Sequence, residues 1–335
     1  MKTNQFDYNL PKELIAQKPL NNRDGSKLMI IDRDNKQISH HKFTDIINYL
    51  SKGDLIVWNN SKVFKARLIG TLMMDENTDG ISEQKIYSTD KILNASKIEI
   101  FLLKPTENFG VWKVLAKPGR KLRLGMKVVF ADDFFCEIML REKDGTFVVE
   151  FSDDDMTVRS KANKYGQVPI PPYINNDKNS IDKLDIKYQT VYAKKEGSVA
   201  APTAGFHFTN ELIELLKEKE VEFAEVTLHV GIGTFQPVKT ENIEEHKMHS
   251  EQVEITASNC ELINDAKRSG RRIIAVGTTT VRTLEGIYNQ EGSIKPYSGD
   301  INLFITPGYK FNVIDALISK TKKSILFFNS LLITI

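Results

Sequence analysis

Residues 271–285 read RRIIAVGTTTVRTLE: an apolar run, Ile273 to Val276, stops at Gly277, and a threonine-rich helix start follows. Strand, glycine, helix is the unit from which parallel sheets are built, because a parallel strand needs a crossover before its neighbour. The same alternation continues outward in both directions. TNELIELLKEKE (209–220) has helical apolar spacing, VEFAEVTLHV (221–230) reads as a strand, ITASNCELINDAKRSG (255–270) as a helix and DINLFIT (300–306) as a strand. Near the N-terminus, KLMIIDRD (27–34) predicts a strand, FTDIINYLSK (43–52) a helix ended by Gly53, and DLIVWNN (54–60) a buried strand.

Between these pieces the character changes. ARLIGTLMM (66–74), KIEIFLLKP (97–105), GVWKVLAKP (110–118), KVVFADDFFCEIMLRE (127–142) and GTFVVEF (145–151) are short β-rich runs separated by Gly, Pro and Asp turns. Strands so spaced suggest a small barrel or sandwich. The expected fold class is therefore α/β: a domain with a mostly parallel sheet, formed by residues 1–62 and 156–335, interrupted by an inserted β-barrel-like domain at 63–155. A polar stretch near 73–97 has too little hydrophobicity to stabilise a packed element and reads as a surface insertion. Two domains also suit the length of 335 residues, since single cores cluster at roughly 100–150.

Composition narrows the function classes. A net charge of +2 gives no global basic field, so any nucleic-acid contact has to come from a local patch. Cys136 and Cys260 are the two cysteines, far apart and in no CxxC pattern, which fits buried thiols in a reducing compartment. The N-terminus lacks the apolar stretch of a signal peptide, and no run approaches the roughly 18 apolar residues of a membrane span. A cytoplasmic, soluble protein with no membrane partner is expected.

Four of the six histidines fall between Ala200 and Glu251, in three glycine-punctuated phrases, APTAGFHFT, TLHVGIGTFQPV and HKMHSE. In the first, Thr203, Gly205 and His207 precede a helix start. In the second, His229 leads into Gly231, Gly233 and Thr234, a loop that either contacts a sugar or base or makes a tight turn; Gln236 spoils a GxGxxG reading. In the third, His246, His249 and Glu251 lie within six positions. Their spacing is not HExxH, and proton transfer or hydrogen bonding suits them better than a metal. A metal-dependent hydrolase built on HKMHSE is the alternative of another class.

Two further features carry charge chemistry. Gly277, Thr278 and Thr279 open a helix whose free N–H groups suit a carboxylate or phosphate, with Arg282 beside them, though threonine can equally serve as a plain cap. Lys117, Arg120, Lys121, Arg123 and Lys127 cluster in AKPGRKLRLGMK, where they suit either phosphates or a solvated strand face.

Taken in order, YNLPKELIAQKP, NNRDGSKLMIIDR, GDLIVWNNSKVFKARL, PPYI, YQTVYA, GSVAAPTAGFHFT, TLHVGIGTFQPV, HKMHSE, RRIIAVGTTTVRTLE and FITPGYKF resemble the S-adenosylmethionine:tRNA ribosyltransferase-isomerases of queuosine biosynthesis. The likeness runs to about Leu317. It implies an α/β domain interrupted by a barrel, and a reaction in which the ribosyl part of the co-substrate S-adenosylmethionine passes to 7-aminomethyl-7-deazaguanine at the tRNA wobble position. Epoxyqueuosine forms, adenine and methionine leave, and neither a metal nor a prosthetic group is implied. Under this resemblance His207, His229, His246 and His249 become candidates for proton transfer, with Glu251 orienting or sharing a proton. The Gly277–Thr280 start suits the methionine carboxylate or a tRNA phosphate. Arg23, Asp24, Asn59, Asn60 and Arg67 are expected to line a cleft between the domains, and the resemblance favours a monomer.

The chain also departs from the family pattern. NNSKVFKARL stands where the family reads NDTRVxPARL, so Asn60, Ser61, Lys62 and Lys65 replace an acid, a threonine, an arginine and a proline; Gln236 replaces an arginine. Lys62 keeps a charge but cannot form a planar fork. After Ile318 the text SKTKKSILFFNSLLITI replaces an NFHLPKS-type motif. A catalytically impaired tRNA-binding remnant is accordingly the second expectation.

Overall fold

The computed structural model describes residues 1–9, 11, 13, 20–73, 97–169, 187–231, 240–246, 248 and 250–320. Most of the polar insertion, the PPYI phrase, Gly233, Thr234, His249 and the sequence after 320 lie outside the described residues. The chain divides into two units, Met1–Lys62 with Ile170–Ile335, and Val63–Pro169.

The first unit opens with the hairpin β1 (Lys27–Asp32) and β2 (Gln37–Lys42), then β3 (Leu55–Asn59). Between them, Phe43–Tyr49 is a 3-10 helix, shorter than the helix expected over 43–52. Its apolar anchors suit this: Phe43, Ile46 and Tyr49 fall every third residue, which lines them up along one face at three residues per turn. Strand β4 (Ser61–Val63) leads out of the unit.

The second unit holds β5 (Arg67–Met73), β6 (Lys97–Pro105), β7 (Val111–Lys117), β8 (Lys127–Ala131), β9 (Phe134–Arg141) and β10 (Phe147–Glu150). They close into a six-stranded antiparallel barrel in the order β10-β7-β6-β5-β8-β9. Alternation explains the closure: Leu68, Ile98, Ile100, Trp112, Val114, Val128, Cys136 and Val149 point inward and are buried, while their chain neighbours are mostly half-exposed or exposed. Gly70 is required by close approach, since a Cβ there would sit 2.7 Å from the side chains of Phe130 and Val128. A helix, Asp155–Tyr165, capped by Asp154 accepting from Thr157 N at 2.7 Å, also belongs to this unit. The unit thus extends past residue 155, where composition had suggested a boundary.

Back in the first unit come β11 (Lys195–Ser198), β12 (Glu222–Leu228), β13 (Glu251–Ile255), β14 (Ile273–Val276), β15 (Tyr297–Ile301) and β16 (Ala316–Ile318). The six-stranded sheet runs β15-β13-β12-β3-β14-β16, parallel from β12 to β16 and antiparallel at β13 and β15. β15 lies earlier than the DINLFIT run, because its pairing with β13 ends at Ile301 opposite Glu251. All five residues of β3 are buried, as a strand covered on both faces requires. Ile56 and Trp58 pack under the helix Asn210–Glu218 with Leu212 and Leu216; Leu55 and Val57 pack on the other face with Cys260, Ile263, Leu284 and Ile287. Each such side chain contributes about 1.5–3 kcal/mol by leaving water. Both cysteines are free and buried, and burial pushes the Cys260 thiol up to about 11. Among the described residues no helix is long and apolar enough to cross a membrane.

Candidate functional site at the parallel strand ends

The register of the parallel strands gathers the motifs. Trp58 pairs with Val276 and Asn59 with Val226, so β12, β3 and β14 finish at one edge of the sheet. His229 follows β12, Asn60 follows β3, and Gly277 follows β14. The carboxyl edge of parallel strands is where open α/β sheets bind ligands, because the chain there turns into loops and helix N-termini.

Asn59 and Asn60 brace this edge. The fully buried Asn59 amide donates to Leu228 O and accepts from Leu228 N, both at 3.0 Å, and also accepts from Ser61 N. Asn60 donates to Glu225 Oε2 at 3.1 Å and accepts from the Thr227 hydroxyl at 2.8 Å, while its carbonyl accepts from Lys194 N and Lys195 N. These bonds prolong the β3–β12 ladder beyond its backbone and fix where His229 emerges.

Glu251 and Arg282 form a buried ion pair through Arg282 Nη1 and Glu251 Oε2. Glu251 Oε1 also accepts from Gly231 N at 3.3 Å, and Arg282 Nε donates to Leu303 O at 3.1 Å. Burial lowers the Arg282 pKa, and the Glu251 charge opposes that shift. Arg282 thereby ties the helix Thr278–Glu291, through Glu251, to Gly231, an arrangement that a separation of 31 positions between the partners concealed in the sequence.

At the helix start, Gly277 has φ +83° and no side chain among the described residues caps the helix. The threonines do something else: Thr280 donates to Val276 O at 2.7 Å and Thr283 to Thr279 O at 2.9 Å. Thr278 and Thr279 are half-buried.

The Thr203–His207 turn lies beside this start, since a Cβ on Gly277 would be 3.7 Å from Ala204 Cβ. His207 Nδ1 is 3.1 Å from Ala204 O, and its ring centroid lies 5.2 Å from that of Phe43. A carbonyl only accepts, so Nδ1 carries the proton and Nε2 keeps its lone pair for a base. Burial pushes the imidazole below its ordinary value, the Ala204 bond opposes this, and the Lys320 and Arg23 cations add to it. Arg23 donates to Gln189 O at 2.5 Å and lies over the Phe206 ring; Asp24 is half-buried on the same turn.

His229 packs against Gly197, where a Cβ would lie 2.6–2.9 Å from the imidazole ring. Only glycine leaves room for that ring, a requirement the sequence reading missed. His246 lies further along, edge-on to Phe304 with centroids 5.4 Å apart. Among the described residues no group of three or more His, Cys, Asp or Glu is placed to hold a metal.

The remaining candidates are in the second unit. Arg67 forks onto Glu99, with Nε and Nη2 at 2.8 and 2.6 Å from Oε2. Lys117, Arg120, Lys121 and Arg123 are exposed around the β7 end and the turn after it, and Lys127 at the β8 start is half-buried.

Comparison with known proteins decides the family. The profile described as queuosine biosynthesis protein matches residues 3–326. The chain belongs to the queuosine biosynthesis protein family. The family match continues beyond Ile318, into the stretch that looked foreign to the pattern. An S-adenosylmethionine:tRNA ribosyltransferase-isomerase of Acetivibrio thermocellus is 44% identical over 320 residues, covering 95% of this chain and 86% of the relative. One of the same name from Thermotoga petrophila is 46% identical with the same coverage. The crystal structure of S-adenosylmethionine tRNA ribosyltransferase from Thermotoga maritima is 33% identical, with a TM-score of 0.47, covering 96% of this chain and 87% of that one.

Proposed function

We propose that this chain transfers and isomerises the ribosyl part of S-adenosylmethionine onto the aminomethyl group of 7-aminomethyl-7-deazaguanine in tRNA. The new bond joins the base's amine nitrogen to the ribosyl carbon skeleton, adenine and methionine depart, and epoxyqueuosine remains. The observation that carries this reading is 43–46% identity over 95% of the chain to proteins bearing that activity in their names.

The strand-end geometry supports specific roles. The sulfonium acidifies the adjoining ribose carbon, so a base beside it starts the reaction; His207, neutral and with Nε2 open as an acceptor, suits that task. His229, on the neighbouring strand end, suits proton delivery to departing adenine. Glu251 acts through Arg282 and Gly231, holding Gly231 beside the strand ends. The uncapped helix start suits the methionine carboxylate. The exposed cations of the second unit suit tRNA phosphates.

Nucleoside mass analysis of tRNA bearing the aminomethyl base, after incubation with the protein and S-adenosylmethionine, tests the reading. An epoxyqueuosine peak with stoichiometric adenine is the expected result. Bound tRNA without product would replace it with the impaired-remnant reading.

A further inference from the structure

Around the Thr203–His207 turn, four buried polar atoms have no hydrogen-bond partner among the described residues: Trp58 Nε1, Thr190 Oγ1, the Tyr192 hydroxyl and Thr279 Oγ1. Trp58, Thr190 and Tyr192 are only 5, 5 and 7% exposed. Interiors normally satisfy such groups, and a cluster of unmade bonds in one place calls for a missing partner. The four atoms are linked by packing. Trp58 and Tyr192 stack with centroids 4.1 Å apart and planes 5° from parallel. A Cβ on Gly205 would lie 1.8 Å from the Tyr192 hydroxyl oxygen and 2.9 Å from Thr190 Cγ2, so both side chains converge on the Gly205 backbone. Ala204, one residue earlier, lies against Gly277, whose Cβ would also be 3.6 Å from Thr279 Oγ1.

The chemistry of the set points to one kind of ligand. An indole N–H and three hydroxyls are neutral donors and acceptors, with no cation among them. Arg23 and Lys320 lie instead over Phe206. Phosphate and carboxylate call for cations, whereas a purine edge and ribose hydroxyls call for neutral partners. We propose that Tyr192, with Thr190 and Trp58 Nε1, binds the adenosine part of S-adenosylmethionine once the Thr203–His207 turn shifts off it. This rests on the transferase reading given above. It also couples steps, because the turn that uncovers the hydroxyl carries His207.

Tyr192→Phe is the discriminating variant, since it keeps the ring stacked on Trp58 and removes only an unpartnered hydroxyl. A purely structural tyrosine predicts unchanged S-adenosylmethionine binding, and a melting temperature equal to or above wild type is expected either way. The proposal expects the Kd and KM for S-adenosylmethionine to rise about tenfold or more, with tRNA affinity unchanged. Thr190→Val is expected to weaken the same two constants by a smaller factor. Unchanged S-adenosylmethionine binding in both variants overturns the inference, as does a loss confined to tRNA affinity. Equilibrium binding and product formation are read on the same wild-type sample. Binding lost in Tyr192→Phe when wild type makes no product overturns the transferase reading and retains the nucleoside site; normal product from Tyr192→Phe at low S-adenosylmethionine overturns only the nucleoside site.

Discussion

The strand ends of the first unit and the wall of the barrel both place charged residues beside apolar ones, yet they treat those charges in opposite ways. On the barrel, Lys113 meets Glu142 and Asp144, and Arg67 meets Glu99, with the side chains a quarter to nearly half exposed. At the strand ends, Arg282 and Glu251 are 11 and 6% exposed and pair in the interior. Water screens the first kind of pair and makes it nearly expendable. The second kind is held against a desolvation penalty, and breaking it takes the counter-ion from a buried charge. The difference teaches that the barrel's charges follow from closing and solvating a barrel, whereas those at the strand ends tie a helix to Gly231.

The largest expected effect tests this contrast directly. Glu251→Ala or Arg282→Ala should cost about 3–5 kcal/mol in urea unfolding, because each removes the counter-ion of a buried charge. Lys113→Ala should cost under about 1 kcal/mol. Equal losses would break the comparison.

Next comes catalysis. His207→Ala should lower the single-turnover rate by about 10²–10⁴ if its imidazole is the base. Because burial depresses its pKa below the ordinary 6.5, the acid limb of kcat/KM in the wild type should fall below pH 6.5. A limb at or above that value would assign the base elsewhere. The same depression means that the unfolded chain takes up the proton first, so His207 lowers stability as pH falls below about 6.5.

Smaller effects sharpen the barrel side. Lys117→Ala with Arg120→Ala should weaken tRNA binding and make its salt dependence shallower by about one unit per lost phosphate contact, leaving S-adenosylmethionine binding alone. Burial works against ionising Asp144, but Thr146 and Lys113 prevail and hold its carboxyl down at about 2. Its folded value is below the unfolded value of about 3.9, so its contribution is present above pH 4 and lost as pH falls toward 2. Asp144→Asn should flatten that part of an acid-unfolding curve.

Much of the fold was legible because its elements announce themselves locally. RRIIAVG into TTTVRTLE is a strand meeting a helix, and the barrel runs alternate residue by residue. The kind of helix at Phe43–Tyr49 was not legible, because a spacing of three fits either kind over so few residues. The site was legible only in part. His207, His229 and Gly277 lie at element ends, where composition marks them. The bonds that commit Asn59 and Asn60 to the sheet, and the pairing of Arg282 with Glu251, depend on strand register rather than on neighbours in sequence. Tyr192 stayed hidden for the same reason: its hydroxyl acquires meaning only where Gly205 comes against it.

The most direct test of the central claim is single-turnover product formation at saturating tRNA and S-adenosylmethionine, comparing His207→Ala with the Lys117→Ala, Arg120→Ala double variant. With chemistry at the strand ends of the first unit, the histidine variant loses the rate while binding tRNA normally, and the double variant keeps the rate while binding tRNA more weakly. The reverse pattern would contradict the account.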